Sequence, residues 1–108
     1  MIQATDLTPL TATEAKALVD AGKAVLVDIR EPNEHAQERI DGASLAPLSR
    51  IGTGERIAPA GKKRVIFHCQ SGMRTANNAR RLAGACAGEA YVLAGGLNAW
   101  KAAGLPTA

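Results

Sequence analysis

The segment Val65-Ile66-Phe67-His68-Cys69-Gln70-Ser71-Gly72-Met73-Arg74-Thr75 decides how the rest of this chain is read. Its first residues, with Arg64, are an apolar β-branched and aromatic run of strand length. A short polar loop holding a glycine follows, and from Thr75 to Cys86 the spacing predicts a helix with Ala76, Ala79, Leu82, Ala83 and Cys86 on one stripe. A loop that leaves a strand and enters a helix turns successive backbone N–H groups inward, and that concavity binds anions. A cysteine at its base gains thiolate character from those donors, whereas an ordinary thiol of pKa about 8.5 is only a few per cent ionised at neutral pH. Gly72 allows the turn, and Arg74 supplies a planar cation for an oxyanion. A lone cysteine at a strand end is ordinarily a packing residue. This loop, arginine and helix together point instead to a reactive thiolate at Cys69.

Working outward, the elements alternate. Thr11-Ala12-Thr13-Glu14 is a capping box opening a helix that stops by Gly22. Ala24 to Ile29 is a short buried strand, and Pro32 sits where the first turn of a helix running to about Arg39 tolerates it. Residues 42–49 suggest a short strand and 50–63 a loop with a turn of helix. Ala90 to Leu93 is a further strand, Gly95-Gly96 a turn, and Leu97 to Ala102 a closing helix. The expectation is an α/β fold with a mainly parallel central sheet and helices on both faces. Ligands in such sheets bind beyond the carboxyl ends of the strands, where Asp28 and Cys69 both fall.

Composition narrows the function classes. The chain has 108 residues, 46% hydrophobic and 21% charged, which fits one folded domain of ordinary composition. Two cysteines make no disulfide framework, and neither a secretory signal nor an apolar run of membrane-spanning length is visible, so a reducing, cytoplasmic setting is expected. Net charge is +3, divided unevenly: residues 1–54 carry five basic and eight acidic groups, residues 55–108 eight basic and two acidic. A basic half suits a small anionic ligand. Nucleic acid is disfavoured by an aromatic content of 3% and by the absence of a binding motif. His68 and Cys69, adjacent on a strand, point to opposite faces and do not share a metal, so no metal or other cofactor is expected. His68 reads as a packed strand residue, His35 as exposed on a short polar helix, and Trp100 as core. Cys86 lies roughly 18 Å along the helix from Cys69 and reads as packing rather than as a resolving thiol.

The same residues resemble the single-domain rhodaneses, or thiosulfate sulfurtransferases. Val65 to Thr75 looks like their active-site strand and loop. Asp28, Arg30 and Glu34 fit the family's DxRxxxE entry. Ile40-Asp41-Gly42-Ala43 is like its GHIxGA element, with Glu38-Arg39 standing where Gly-His is common. Leu93 to Trp100 matches its L-x-GG-x-x-x-W close. The resemblance spans about residues 10–106, and the stretches around Asn77-Asn78 and Ala46-Pro47-Leu48 especially resemble the cytosolic domain of a bacterial inner-membrane rhodanese, which implies a membrane tether outside these residues.

The resemblance implies ping-pong sulfur transfer. Cys69 attacks the outer sulfur of thiosulfate or another small anionic sulfur donor, carries a persulfide, and passes the sulfur to cyanide or a thiol. Cys69 and Arg74 are the expected catalytic residues, and Gln70, Ser71, Gly72, Met73 and Thr75 the substrate-binding ones. Asp28 and Arg30 brace the loop from behind. Two other readings use the same cysteine: a non-enzymatic persulfide carrier, and a phosphatase or arsenate reductase. Cysteine phosphatases place five residues between Cys and Arg; here four intervene, a cradle better sized for one sulfur atom.

Overall fold

The computed structural model describes residues 7–51, 64–86 and 90–108. Five strands form one parallel sheet: β1 (Thr8–Leu10), β2 (Ala24–Asp28), β3 (Ser44–Leu45), β4 (Arg64–His68) and β5 (Ala90–Leu93), in the order β1-β5-β4-β2-β3. Among the described residues the helices are α1 (Ala12–Asp20), α2 (Pro32–Gln37), α3 (Met73–Asn77), α4 (Ala79–Ala85) and α5 (Gly96–Ala102), with a 3₁₀ turn at Leu48–Arg50. The loop read for residues 50–63 lies, from residue 52 on, outside the described residues.

Strand alternation divides the core in two. Leu26, Ile66 and Leu93 pack with Ala12 and Ala15 of α1 and with Leu97 and Trp100 of α5. Val27, Val65 and Phe67 face the other way, onto Leu82 and Ala85 of α4 and onto Cys86. Each fully buried Ile, Leu or Phe contributes about 1.5–3 kcal/mol, so a core with few aromatics still suffices. The Trp100 indole N–H donates to the Pro106 carbonyl at 2.8 Å, satisfying its one polar atom.

Local signals explain most elements. Thr11 Oγ1 accepts from Glu14 N at 3.1 Å while Glu14 Oε1 accepts from Thr11 N at 2.9 Å, the expected capping box. Two readings are corrected. The sheet gains β1, held by pairing Thr8 with Tyr91 and Leu10 with Leu93. The helix expected from Thr75 to Cys86 is two helices, broken at Asn78 (φ −123°, ψ 20°). The Asn78 side chain donates to the Arg74 carbonyl at 2.8 Å, sharing that acceptor with its own backbone N–H at 3.1 Å. The break shifts the phase of the buried stripe to Thr75, Leu82, Ala85 and Cys86, leaving Ala76 exposed.

Topology places the site. β2 connects outward to β3, whereas β4 connects the opposite way to β5, beside which the N-terminal β1 lies. The crevice where neighbouring strands send their connections in opposite directions is therefore beyond β2 and β4, which are paired with Asp28 opposite His68.

Candidate functional site

Cys69 is the first residue past β4, and its side chain falls on the α4 face of the sheet at 1% exposure. Its Sγ accepts a hydrogen bond from Gly72 N–H at 3.1 Å. Thr75 Oγ1 lies 3.9 Å from the sulfur and donates to the Gly72 carbonyl at 2.9 Å, pinning the loop's far end. Gly72 has φ +96°, the left-handed conformation expected of the turn, and a Cβ there would lie 3.2 Å from Gly95 N.

That approach belongs to a docked second loop. Leu97 N and Asn98 N, opening α5, donate to the carbonyls of Cys69 and Gln70 at 2.9 and 3.0 Å. Gly96 (φ +58°) makes this contact: a Cβ there would overlap the Cys69 carbonyl and lie 2.8 Å from the Gln70 carbonyl.

Behind the loop runs a buried polar chain. Asp28 is fully buried and accepts from Arg30 Nε and Nη2, from Arg30 N–H at 2.9 Å, and sits 2.9 Å from His35 Nδ1. Burial pushes the Asp28 carboxyl up, but the hydrogen bonds from Arg30 and His35 outweigh it and hold the group below the usual carboxylate range. Arg30 Nη1 donates to Gln70 Oε1 at 3.0 Å, and Gln70 Nε2 donates to Asn98 Oδ1 at 2.7 Å. Asp28 reaches the loop through Arg30, whose guanidinium contacts Gln70. His35 is not exposed as expected; it is half-buried against Asp28, because α2 lies over the sheet rim. His68 is buried, its Nδ1 3.2 Å from the Cys69 carbonyl, and burial pushes its pKa down against the opposing pull of Asp28.

The predicted site residues separate by position. Cys69, Gly72 and Thr75 converge at the sulfur. Gln70 spends both ends of its amide on the brace. Ser71 and Met73 face solvent, Met73 at 65% exposure. Arg74 stands at the rim with Nη1 and Nη2 donating to Glu34 Oε1 and Oε2 at 2.8 and 2.7 Å. The paired guanidinium holds the Glu34 carboxyl at a pKa of about 2, and Glu34 in turn raises that of Arg74. Sequence reasoning placed Glu34 in a motif without giving it a role, and missed Asn98 and the docking of Gly96. Only the Gly-Gly and Asn98 spacing before Trp100 carried a local trace of them.

Both cysteines are free thiols, and Cys86 is packed beside Leu82 and Ala85 as expected. Among the described residues no three His, Cys, Asp or Glu side chains are placed to hold a metal, and no helix is long and apolar enough to cross a membrane.

Comparison with known proteins agrees with this architecture. The rhodanese-like domain family matches residues 11–103. A sulfurtransferase of Allochromatium vinosum is 36% identical over 93 residues, covering 85% of each chain. The protein slr1261 of Synechocystis is 43% identical over 83 residues, covering 77% of this chain and 46% of its own length. The chain spans less than half the length of several curated relatives it matches. A rhodanese-related protein from Thermoplasma volcanium superposes with a TM-score of 0.76 over 94% of this chain and 97% of its own; at 21% identity this shows the fold alone. With the matched segment running from Thr11, which caps α1, to Ala103, which closes α5, the chain belongs to the rhodanese family, which includes sulfurtransferases.

Proposed function

We propose that the chain is a sulfurtransferase that carries sulfane sulfur as a persulfide on Cys69, taken from thiosulfate or a persulfide donor and handed to cyanide or a thiol. The observation that carries this reading is the Gly72 N–H donating to Cys69 Sγ at 3.1 Å, at the base of a loop whose backbone is fixed from two sides. The thiolate attacks the outer sulfur of the donor. With thiosulfate, the new S–S bond forms as the old one breaks, and sulfite leaves with the bonding electron pair. The persulfide's terminal sulfur then bears the negative charge, which loop N–H groups stabilise without reorganising. A thiolate or cyanide attacks that sulfur and regenerates Cys69. Arg74 stands at the rim to meet the donor, and Ser71 and Met73 line the entrance. The buried chain from Asp28 through Arg30 and Gln70 to Asn98 keeps the loop's shape through both half-reactions. Both cysteines being free accords with a reducing, cytoplasmic setting. No nucleic acid enters this scheme.

The test is intact-protein mass after thiosulfate treatment. A gain of about 32 Da, reversed by cyanide and absent in Cys69→Ser, is the expected covalent intermediate. Thiocyanate release then separates a turning-over enzyme from a carrier, and hydrolysis of an aryl phosphate without a sulfur adduct would refute the proposal.

A further inference from the structure

We propose that Glu34 sets donor specificity: by occupying the Arg74 guanidinium at the mouth of the Cys69 loop, it turns the site from dianionic thiosulfate toward organic sulfur donors that carry one negative charge. This rests on the sulfur-transfer reading above and refines its substrate class.

The reasoning starts from charge at the mouth. The four residues between Cys69 and Arg74 are Gln70, Ser71, Gly72 and Met73, none of them charged. Arg74 is therefore the loop's one cation, and both its terminal nitrogens are engaged by the two oxygens of Glu34. The pair is bidentate, the strongest form of such a contact, and both side chains are only partly exposed, at 38% and 30%. The next guanidinium inward, Arg30, is matched by the buried Asp28. Among the described residues, the arginines behind and beside Cys69 are thus each neutralised by a carboxylate of the β2–α2 segment. A dianion arriving at the sulfur must accept a guanidinium whose charge is already compensated or pull Arg74 away, leaving a bare carboxylate beside itself. Either course penalises the second negative charge. An organic donor escapes that penalty, and Met73, the one large apolar side chain exposed among the described residues, offers its organic group a surface.

The chemistry balances for such a donor. The Cys69 thiolate attacks the outer sulfur of an organic thiosulfonate, the S–S bond forms as the donor's S–S bond breaks, and the sulfinate leaves with the electron pair. One negative charge remains on the persulfide and one on the sulfinate.

The test compares kcat/KM for thiosulfate and for benzenethiosulfonate in the wild type, Glu34→Gln and Glu34→Asp. Taking the ratio of the two donors across variants cancels their intrinsic reactivities. Glu34→Gln keeps an oxygen for the Glu31 N–H, which Glu34 Oε1 accepts at 3.0 Å, while it removes the charge and replaces the oxygen that accepts from Arg74 Nη2 by an amide NH2. A unit charge about 5 Å from a dianion in water-like surroundings amounts to roughly tenfold in binding, and about half that exponent for a monoanion. Glu34→Gln is expected to raise kcat/KM for thiosulfate about tenfold, chiefly through KM, and to shift the ratio toward thiosulfate about threefold. Glu34→Asp, which restores the charge, should return the ratio toward wild type. A fall for both donors in equal proportion, or an unchanged ratio, overturns the proposal. A second measurement uses the wild type alone: methanesulfonate should inhibit at least as well as sulfate, and a clear preference for sulfate overturns it too. Failure of both donors to add sulfur to Cys69 by mass would instead refute the sulfur-transfer reading itself.

Discussion

Replacing Gly96 by alanine tests how far the Cys69 loop depends on the turn docked against it. Two costs are separable. The first is conformational: Gly96 has φ +58°, where a Cβ costs about 1–2 kcal/mol. The second is steric. The new Cβ would overlap the Cys69 carbonyl and approach the Gln70 carbonyl at 2.8 Å, against backbone on both sides, so the turn must lift away. Lifting weakens the bonds from Leu97 N and Asn98 N to those carbonyls, each contributing about 0.5–1.5 kcal/mol net. Gly22 is the control: its φ is +74°, but a Cβ there meets nothing within 4 Å. Gly22→Ala therefore carries the conformational cost alone, and the unfolded-state entropy change common to any Gly→Ala cancels between the two. The expected difference is about 1–3 kcal/mol, which at a urea m-value of about 1–3 kcal/mol/M separates the midpoints by about 1 M. Gly96→Ala should also lose sulfur transfer in the folded fraction. Equal midpoints, with full activity in Gly96→Ala, would refute the claim that this turn holds the loop.

Other substitutions test the supports. Arg30→Met leaves the buried Asp28 carboxylate without its main partner and should destabilise by about 3–5 kcal/mol in urea titration; the double variant Arg30→Met, Asp28→Asn, which removes both charges, should lose less. Cys86→Ala removes a packed sulfur and should cost about 1 kcal/mol while preserving the sulfur adduct on Cys69, checked by thermal melt and intact mass. The depressed Glu34 pKa predicts a pH effect of definite sign. Glu34 ionises more readily folded than unfolded, so its contribution is complete above about pH 4.5 and fades as pH falls toward about 2. Solvent screening at this partly exposed pair limits it to about 1 kcal/mol, and Glu34→Gln should flatten that part of the acid titration of stability.

Local signals in the sequence carried much of this molecule. The capping box at Thr11, the apolar runs of β2 and β4, and the strand–loop entry at Cys69 are each written in neighbouring residues, and the structure agrees with them. What escaped was set by distant partners. β1 is three residues with a proline at its centre, too short for a periodic signal, and exists because β5 offers it an edge. The break at Asn78 lies in one residue's backbone, which leaves helical dihedrals while its side chain caps the Arg74 carbonyl, where the stripe of alanines argued for continuity. The Glu34–Arg74 pair joins residues 40 apart, and no spacing rule anticipates it. His35 looked solvent-facing from its polar neighbours, yet Asp28 lies beneath it.

The site is assembled from three separated stretches of chain: the β2–α2 segment with Asp28, Arg30 and Glu34, the Cys69 loop, and the opening of α5. This ordering has a consequence in time. During synthesis from the N-terminus, Cys69 and Gln70 emerge while the loop's final clasp, 28 residues beyond Gln70 at Asn98, is still unmade. Until β5 has paired and α5 has docked onto the loop, the proposed nucleophile sits on an unfinished sheet. On the proposed sulfur-transfer reading, closure of the last crossover is then at once the completion of folding and the completion of the site, so a chain arrested before Gly96 would carry the cysteine but not the docked loop.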